Sequence, residues 1–367
     1  MPDQEETQTQ ERPIRSLGPS VKTTPANALG SGSTLLNLAA SDDERFCFVK
    51  GSYYFLVGDS TSGKTWLSLT CFAEAQLTET FADYRLIFDD VENGALMDMA
   101  WFFGEEVAER IEPPRVVNRL PVHSATVEDF YFHLNAALDQ DEPFIYVLDS
   151  QDALTSKAAQ EKFKGKMTTH YKGTKDESAG SYGDGKAKYH SEHLRTAVQR
   201  LAKTGSILII IGQTRDDIGS MFPSKTRSGG RALRFYATIE FWTSLARKIA
   251  KTVRGKERVI GTVCKVEVRK NRLIGKASKE RTVEIPIFYS HGIDDIGSCV
   301  DYLVDEEHWK KEKQSIIAHE LKIKATREKL IQLIEEKGVE DKVRQITGKV
   351  WRQVGEEAKP QRKRRYV

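Results

Sequence analysis

The eight residues Gly58-Asp59-Ser60-Thr61-Ser62-Gly63-Lys64-Thr65 constrain this chain more than any other stretch. They follow a short apolar run, 53–57, and precede a stretch with helical spacing, 66–77. Strand, glycine-bounded turn, Lys-Thr and helix together fit G-x-x-x-x-G-K-[ST] at every position. Glycines let backbone N–H groups turn inward around anionic oxygens, and a helix N-terminus adds free donors and a favourable dipole. In such a loop Lys64 reaches the β- and γ-phosphates of ATP and Thr65 ligates Mg²⁺. A chance glycine-rich turn is the competing reading, and the flanking strand and helix argue against it.

The same alternation runs on. Apolar, buried-type strands recur at 85–88, 144–148 and 206–211, with helical stretches between them. Continuous apolar strands separated by helices predict a parallel sheet covered on both faces. Residues 238–242, 259–268 and 282–289 read as successive strands of an antiparallel extension. From 306 to about 354 the spacing turns helical, with Ile316, Ile317, Leu330, Leu333 and Ile334 at apolar positions. The fold class expected is α/β: a P-loop NTPase core with a mostly parallel central sheet, an antiparallel extension and a small helical C-terminal lobe. Residues 1 to about 32, rich in Thr, Gln, Pro, Ser and Gly, read as flexible. The expected segments are a flexible arm at 1–45, the core at 46–305, and the lobe with a basic tail at 306–367.

Charge separates the same segments. The net charge of +3 does not announce a nucleic-acid partner, but 1–45 carries four basic and seven acidic residues, whereas 306–367 carries seventeen and eleven. No stretch approaches the roughly 18 apolar residues of a membrane helix. The polar N-terminus is unlike a secretory signal. The four cysteines stand far apart, so a reduced, cytoplasmic setting without membrane contact is expected.

Two acidic positions are candidates for the chemistry. Asp149 ends the strand 144–148, where a carboxylate can hold the Mg²⁺ shell; capping the next helix is the alternative, and the P-loop favours the metal role. Glu92, in Asp89-Asp90-Val91-Glu92 just past a strand end, can polarise a water near the γ-phosphate. It can equally be solvated loop, and position alone leaves that choice open.

Several segments resemble RecA-type recombinases, in family order. Residues 144–154 resemble the Walker B strand, and 209–218 resemble the strand leading into the second DNA loop. Gly229-Gly230-Arg231-Ala232-Leu233-Arg234-Phe235-Tyr236-Ala237 resembles Gly-Gly-Asn-Ala-Leu-Lys-Phe-Tyr-Ala. Val268-Arg269-Lys270-Asn271-Arg272 resembles Val-Lys-Asn-Lys, and 288–293 parallels Tyr-Gly-Glu-Gly-Ile. The resemblance covers about 50–303 and implies a RecA-like core. It implies that Glu92 activates the attacking water and Gln213 senses the γ-phosphate. It further implies that Lys270 and Arg272 reach the ATP of a neighbouring subunit. Residues 214–228, with Arg215, Met221, Phe222, Lys225 and Arg227, match the second DNA loop, beside Gly229, Gly230 and Arg231. The first DNA loop corresponds to 157–188, longer than expected. Its eight lysines, among them Lys162, Lys164, Lys166 and Lys172, and its four acids read as a mobile, phosphate-contacting arm; an idle insertion is the other reading.

The expected activity is DNA-dependent ATP hydrolysis with Mg²⁺, by a homo-oligomer that forms a helical filament or ring on single-stranded DNA and pairs it with double-stranded DNA. A hexameric helicase built on the same core, and an ATP-switched assembly protein without strand exchange, are the alternatives. His190-Ser191-Glu192-His193 reads as a polar helix face. His319-Glu320 lacks the second histidine of H-E-x-x-H, so no zinc protease is suggested.

Overall fold

The computed structural model describes residues 24, 26–94, 97–171, 184–216, 225–274, 281–360 and 362–363. Its centre is a ten-stranded sheet: β1 (Tyr53–Gly58), β2 (Arg85–Asp90), β3 (Ile111–Glu112), β4 (Phe144–Asp149), β5 (Ile207–Asp216), β6 (Lys225–Arg227), β7 (Ile239–Val253), β8 (Lys256–Asn271), β9 (Thr282–Phe288) and β10 (Gly292–Ile293). The order across it is β10-β9-β8-β7-β1-β5-β4-β2-β3, with β6 pairing back on β5. Pairing is parallel from β7 through β3 and antiparallel from β7 through β10.

Because successive strand residues face opposite sides, the buried strands feed two cores. Tyr54, Leu56, Ile145, Val147, Ile209 and Ile211 pack on one face, against Leu67, Leu69 and Phe72 of α2 (Lys64–Leu77). Tyr53, Phe55, Tyr146, Leu148, Leu208 and Ile210 pack on the other. There they meet α3 (Val127–Leu138) and α5 (Asp184–Thr204), which contribute Phe130, Leu134, Leu194 and Leu201. The expected α/β class with a mostly parallel central sheet is what the chain forms.

Four expectations are corrected. Residues 238–242 belong to the parallel part, since Ile239–Thr243 pair with Tyr54–Gly58; the antiparallel extension begins only at β8. The segment 157–188 begins as a helix, α4 (Lys157–Tyr171), and ends inside α5; Lys172 lies outside the described residues. The C-terminal lobe is not purely helical: β11 (Lys310–Glu312), β12 (Ser315–Ala318) and β13 (Ile323–Ala325) form a separate antiparallel sheet. It joins α7 (Asp295–Asp305), α8 (Arg327–Glu336) and α9 (Glu340–Glu357) around Trp309, Ile316, Leu330 and Val343. Helix α7 therefore shares the lobe's core, and the boundary at 305, at the end of that helix, divides this core in two.

The fourth correction concerns the arm. Residues 28–29 pair with 48–49, and α1 (Thr34–Ser41) is buried along its whole length. Ser33 caps α1, whose far end is held by Arg281 Nη1, donating to Ala39 O at 2.7 Å, and by Asn271 Nδ2, donating to Ala40 O at 2.8 Å. Thr34 donates to Asp295 of α7, and Arg352 of α9 pairs with Glu44 at 2.7 Å. This segment thus ties the core to the lobe. Leu38→Ala should destabilise the chain by about 2–5 kcal/mol in denaturant unfolding; a change below about 0.5 kcal/mol, as for a surface site, would mean that α1 is not part of the core.

Candidate functional site

The P-loop spans the end of β1 and the start of α2. Gly63 takes φ +84°, a backbone state that a side chain disfavours, and turns the chain directly into the helix. Lys64 is buried and donates to Gly58 O at 3.0 Å and Asp59 O at 2.6 Å. Burial lowers its pKa, while Asp149, Glu92 and Asp59 oppose that shift. The Thr65 hydroxyl donates to Asp149 Oδ2 at 2.6 Å, which brings the two expected metal ligands together. Burial raises the Asp149 carboxyl to about 6, against the Thr65 hydrogen bond and the Lys64 charge. Asp149 does this without β4 adjoining β1: β5 lies between them. Thr61, Ser62, Gly63, Lys64 and Thr65 line a cleft of about 270 Å³ with Trp66, Thr262, Ile287 and Tyr289.

Of the three acids Asp89, Asp90 and Glu92, it is Glu92 whose charge acts on Lys64. Asp89 is consumed by structure, accepting from Ser124 Oγ at 2.6 Å and Tyr146 Oη at 2.8 Å, while Asp90 accepts from the Gly94 N–H at 3.1 Å. Glu92 Oε1 accepts from Gln213 Nε2 at 3.0 Å and from the Ser150 hydroxyl. The structure therefore brings Lys64, Thr65, Asp149, Glu92 and Gln213 together, and these residues fit a Mg²⁺–triphosphate: a buried cation, a hydroxyl and a carboxylate already paired, and a second carboxylate beyond.

Gln213 also opens the stem of the loop 214–228. Its N–H donates to Asp152 Oδ2 at 2.7 Å, and Arg215 lies 3.7 Å from Asp152. The stem closes as β6 pairs Lys225 with Asp216 and Arg227 with Thr214. Met221 and Phe222 lie outside the described residues. Asp59 of the P-loop bonds both sides of this stem, through the Thr214 hydroxyl and the Lys225 ammonium, and these bonds hold its pKa down. Sequence reasoning placed Asp59 only in the phosphate cradle and missed this latch.

Lys270 and Arg272 are elsewhere. Lys270 pairs with Glu240, which is level with Phe55, three residues before Gly58 on β1. Arg272 N–H bonds Thr238 O, and Thr238 N–H bonds Tyr53 O, so Arg272 is lower still. At ~3.3 Å per strand residue they stand roughly 10–17 Å back along the strands from the P-loop of their own chain. There they line a cavity of about 430 Å³ with Arg227, Arg231, Arg234 and Phe235. Lys270 Nζ caps the C-terminal end of α6 (Arg231–Tyr236), donating to Phe235 O at 2.8 Å and Ala237 O at 2.7 Å. Burial, then the Arg272 charge, lowers it to about 8. Glu240, fully buried, balances Arg234 at 3.2 Å and Arg227 at 3.6 Å. A single charge in the apolar run 238–242 was the signal for it.

The other DNA-loop candidates divide. Gly229 packs so closely on Gln151 that a Cβ would lie 2.8 Å from Gln151 Oε1, and Gly230 precedes α6; both position backbone. Arg231 faces the cationic cavity rather than the loop stem. Lys162, Lys164 and Lys166 lie on α4, where Phe163 and Met167 are exposed beside them. His190 is buried, not on a polar face: its Nδ1 meets Tyr131 Oη at 2.9 Å, and burial lowers its pKa to about 3.

A profile of the RecA N-terminal domain matches residues 139–294, from β4 to β10. RecA proteins align beyond it. The one from Cytophaga hutchinsonii is 30% identical over 265 residues, covering 70% of this chain and 63% of its own. That from Chloroherpeton thalassium is 31% identical over 259 residues, covering 70% and 62%. The core is of the RecA type. The chain spans a little under two thirds of the length of those two proteins, and at 28% identity 86% of a RecA protein from Lactobacillus delbrueckii subsp. bulgaricus. Within this RecA-type core, Asp59→Ala should release the loop stem. Amide hydrogen exchange at 214–216 and 225–227 should accelerate while that of β4 stays unchanged; unaltered exchange in the stem would show that the latch carries no load.

Proposed function

We propose that this chain is an ATP-dependent DNA recombinase that assembles on single-stranded DNA and promotes pairing and strand exchange with a homologous duplex. The observation that carries the proposal is the separation of two half-sites: a P-loop cleft at one end of β1, and a pocket of five cations at the other. Neither is complete by itself, and repeated head-to-tail stacking would bring one chain's pocket to its neighbour's cleft. A heterologous contact that does not close on itself generates a filament.

In that arrangement Lys64 and the P-loop backbone hold the phosphates, and Thr65 and Asp149 hold Mg²⁺, which would neutralise charge on the β- and γ-phosphates. Glu92 orients and polarises the attacking water. Lys270 and Arg272 stabilise charge on the phosphoryl group of the neighbour's ATP, so hydrolysis depends on assembly. Phosphate oxygens beside Lys270 would also restore the proton affinity that burial lowers. Gln213 links Glu92 to the loop stem, and Asp59 links the P-loop to the same stem. Movement of 214–228 on DNA would be felt at both. On α4, Lys162 and Lys166 share one ridge and Phe163 and Met167 the next, a pairing suited to tracking phosphates while stacking bases.

Electron microscopy with single-stranded DNA and a non-hydrolysable ATP analogue should show helical filaments. With ATP and homologous duplex, joint molecules should form. Lys64→Ala should fold normally yet neither hydrolyse ATP nor form joint molecules. Closed rings with unwinding activity would instead favour a helicase, and no DNA binding with ATP present would favour an ATP-switched assembly protein.

A further inference from the structure

The C-terminal lobe carries a second cluster of ligand-type side chains, none of which lines the nucleotide cleft. Strands β11 and β12 pair Lys310 with Ile317 and Glu312 with Ser315. Extending that register two residues outward sets His308 opposite His319, and their rings stand 5.1 Å apart. Glu320 follows immediately. His308 Nε2 is 2.5 Å and His319 Nε2 3.3 Å from the same carboxylate oxygen, Glu320 Oε1. The other oxygen, Oε2, accepts from Trp309 Nε1 at 2.7 Å, and Trp309 is wholly buried. The indole thus fixes the carboxylate from inside the core and leaves Oε1 turned toward both imidazoles.

We propose that His308, His319 and Glu320 form a binding site for a divalent transition-metal ion of the Zn²⁺ type, with the fourth position open to water. Two imidazoles and one carboxylate are a borderline donor set, suited to Zn²⁺ or Co²⁺ and poorly suited to Mg²⁺. Their three donor atoms lie within 4.8 Å of one another. Ligand bonds of ~2.0–2.2 Å at tetrahedral angles need donors about 3.3 Å apart. The His319–Glu320 separation already meets this, the His308–Glu320 pair must open by under ~1 Å, and the two imidazoles need close by at most about 1.5 Å. His319 is exposed and free to make that adjustment. The outer hydrogen bond from Trp309 is the kind of support that orients a ligating carboxylate. A bound ion would join the chain before β11 to the chain after β12, stapling the ends of this hairpin.

Titration calorimetry of the full chain with Zn²⁺, in excess Mg²⁺, tests this. One equivalent should bind with a micromolar or tighter Kd, and Co²⁺ at the same site should show tetrahedral visible absorption. His308→Ala/His319→Ala should weaken binding by at least 100-fold. Glu320→Gln should cost at least the roughly 10–100-fold that losing an outer partner costs. Unchanged affinity in the double variant, or only millimolar binding to the wild type, would overturn the proposal. Should the variant unfold, ¹⁵N-histidine spectra of the wild type decide. Resonances of His308 and His319 should shift together at one equivalent of Zn²⁺, and spectra in which they do not move would overturn it.

Discussion

The parallel register of β1, β5, β4 and β2 is the constraint on which the rest of the site depends. Gly58 pairs with Gln213, and Asp90 with Asp149, so the P-loop, Gln213 and the acids leave the sheet at one end. No strand could slip by one residue without turning its apolar side chains to the wrong layer, because both faces are buried. Packing of Tyr53 to Val57 against two helical layers therefore fixes a geometry that the polar residues of the cleft do not enforce by themselves. The Thr65–Asp149 hydrogen bond is the local product of that register.

The same strands explain why the P-loop cleft and the cationic cavity stand apart. An antiparallel partner of β7 ends where β7 begins, so β8 delivers Lys270 and Arg272 to the end of the sheet away from the P-loop. The buried Glu240 neutralises part of the charge gathered there, and α6 offers its carbonyls to Lys270. Unsupported, five cations around one cavity would repel one another strongly. With Glu240 balancing Arg227 and Arg234, the cavity keeps a net positive charge.

Much of this was legible in the sequence, for reasons that differ by residue. The P-loop was legible because strand, turn and helix are local, and Asp149 because a lone carboxylate ends an apolar strand. Glu92 could not be separated from Asp89 and Asp90 by position; their hydrogen bonds to Ser124, Tyr146 and Gly94 make the distinction. Lys270 and Arg272 were visible only through resemblance, since nothing local distinguishes them from a solvated strand end. Helix α1 was missed because all eight of its residues are buried, which leaves no polar face to show a period. Strands β11–β13 are three or four residues long, too short to display alternation. The latch from Asp59 to Thr214 and Lys225 joins residues 155 and 166 positions apart, beyond any local signal.

Mixing two inactive variants tests most directly whether ATP is hydrolysed between subunits. Lys270→Ala/Arg272→Ala retains Glu92 and the P-loop; Glu92→Gln retains both cations. Each alone should bind ATP and lose DNA-stimulated hydrolysis, by about 10³-fold or more for the missing cations. In a mixed assembly some interfaces would pair an intact Glu92 with an intact Lys270 and Arg272 from the adjoining chain. Activity should reappear there and peak near equal proportions. A mixture that co-assembles on DNA and stays inactive at every ratio would contradict the account.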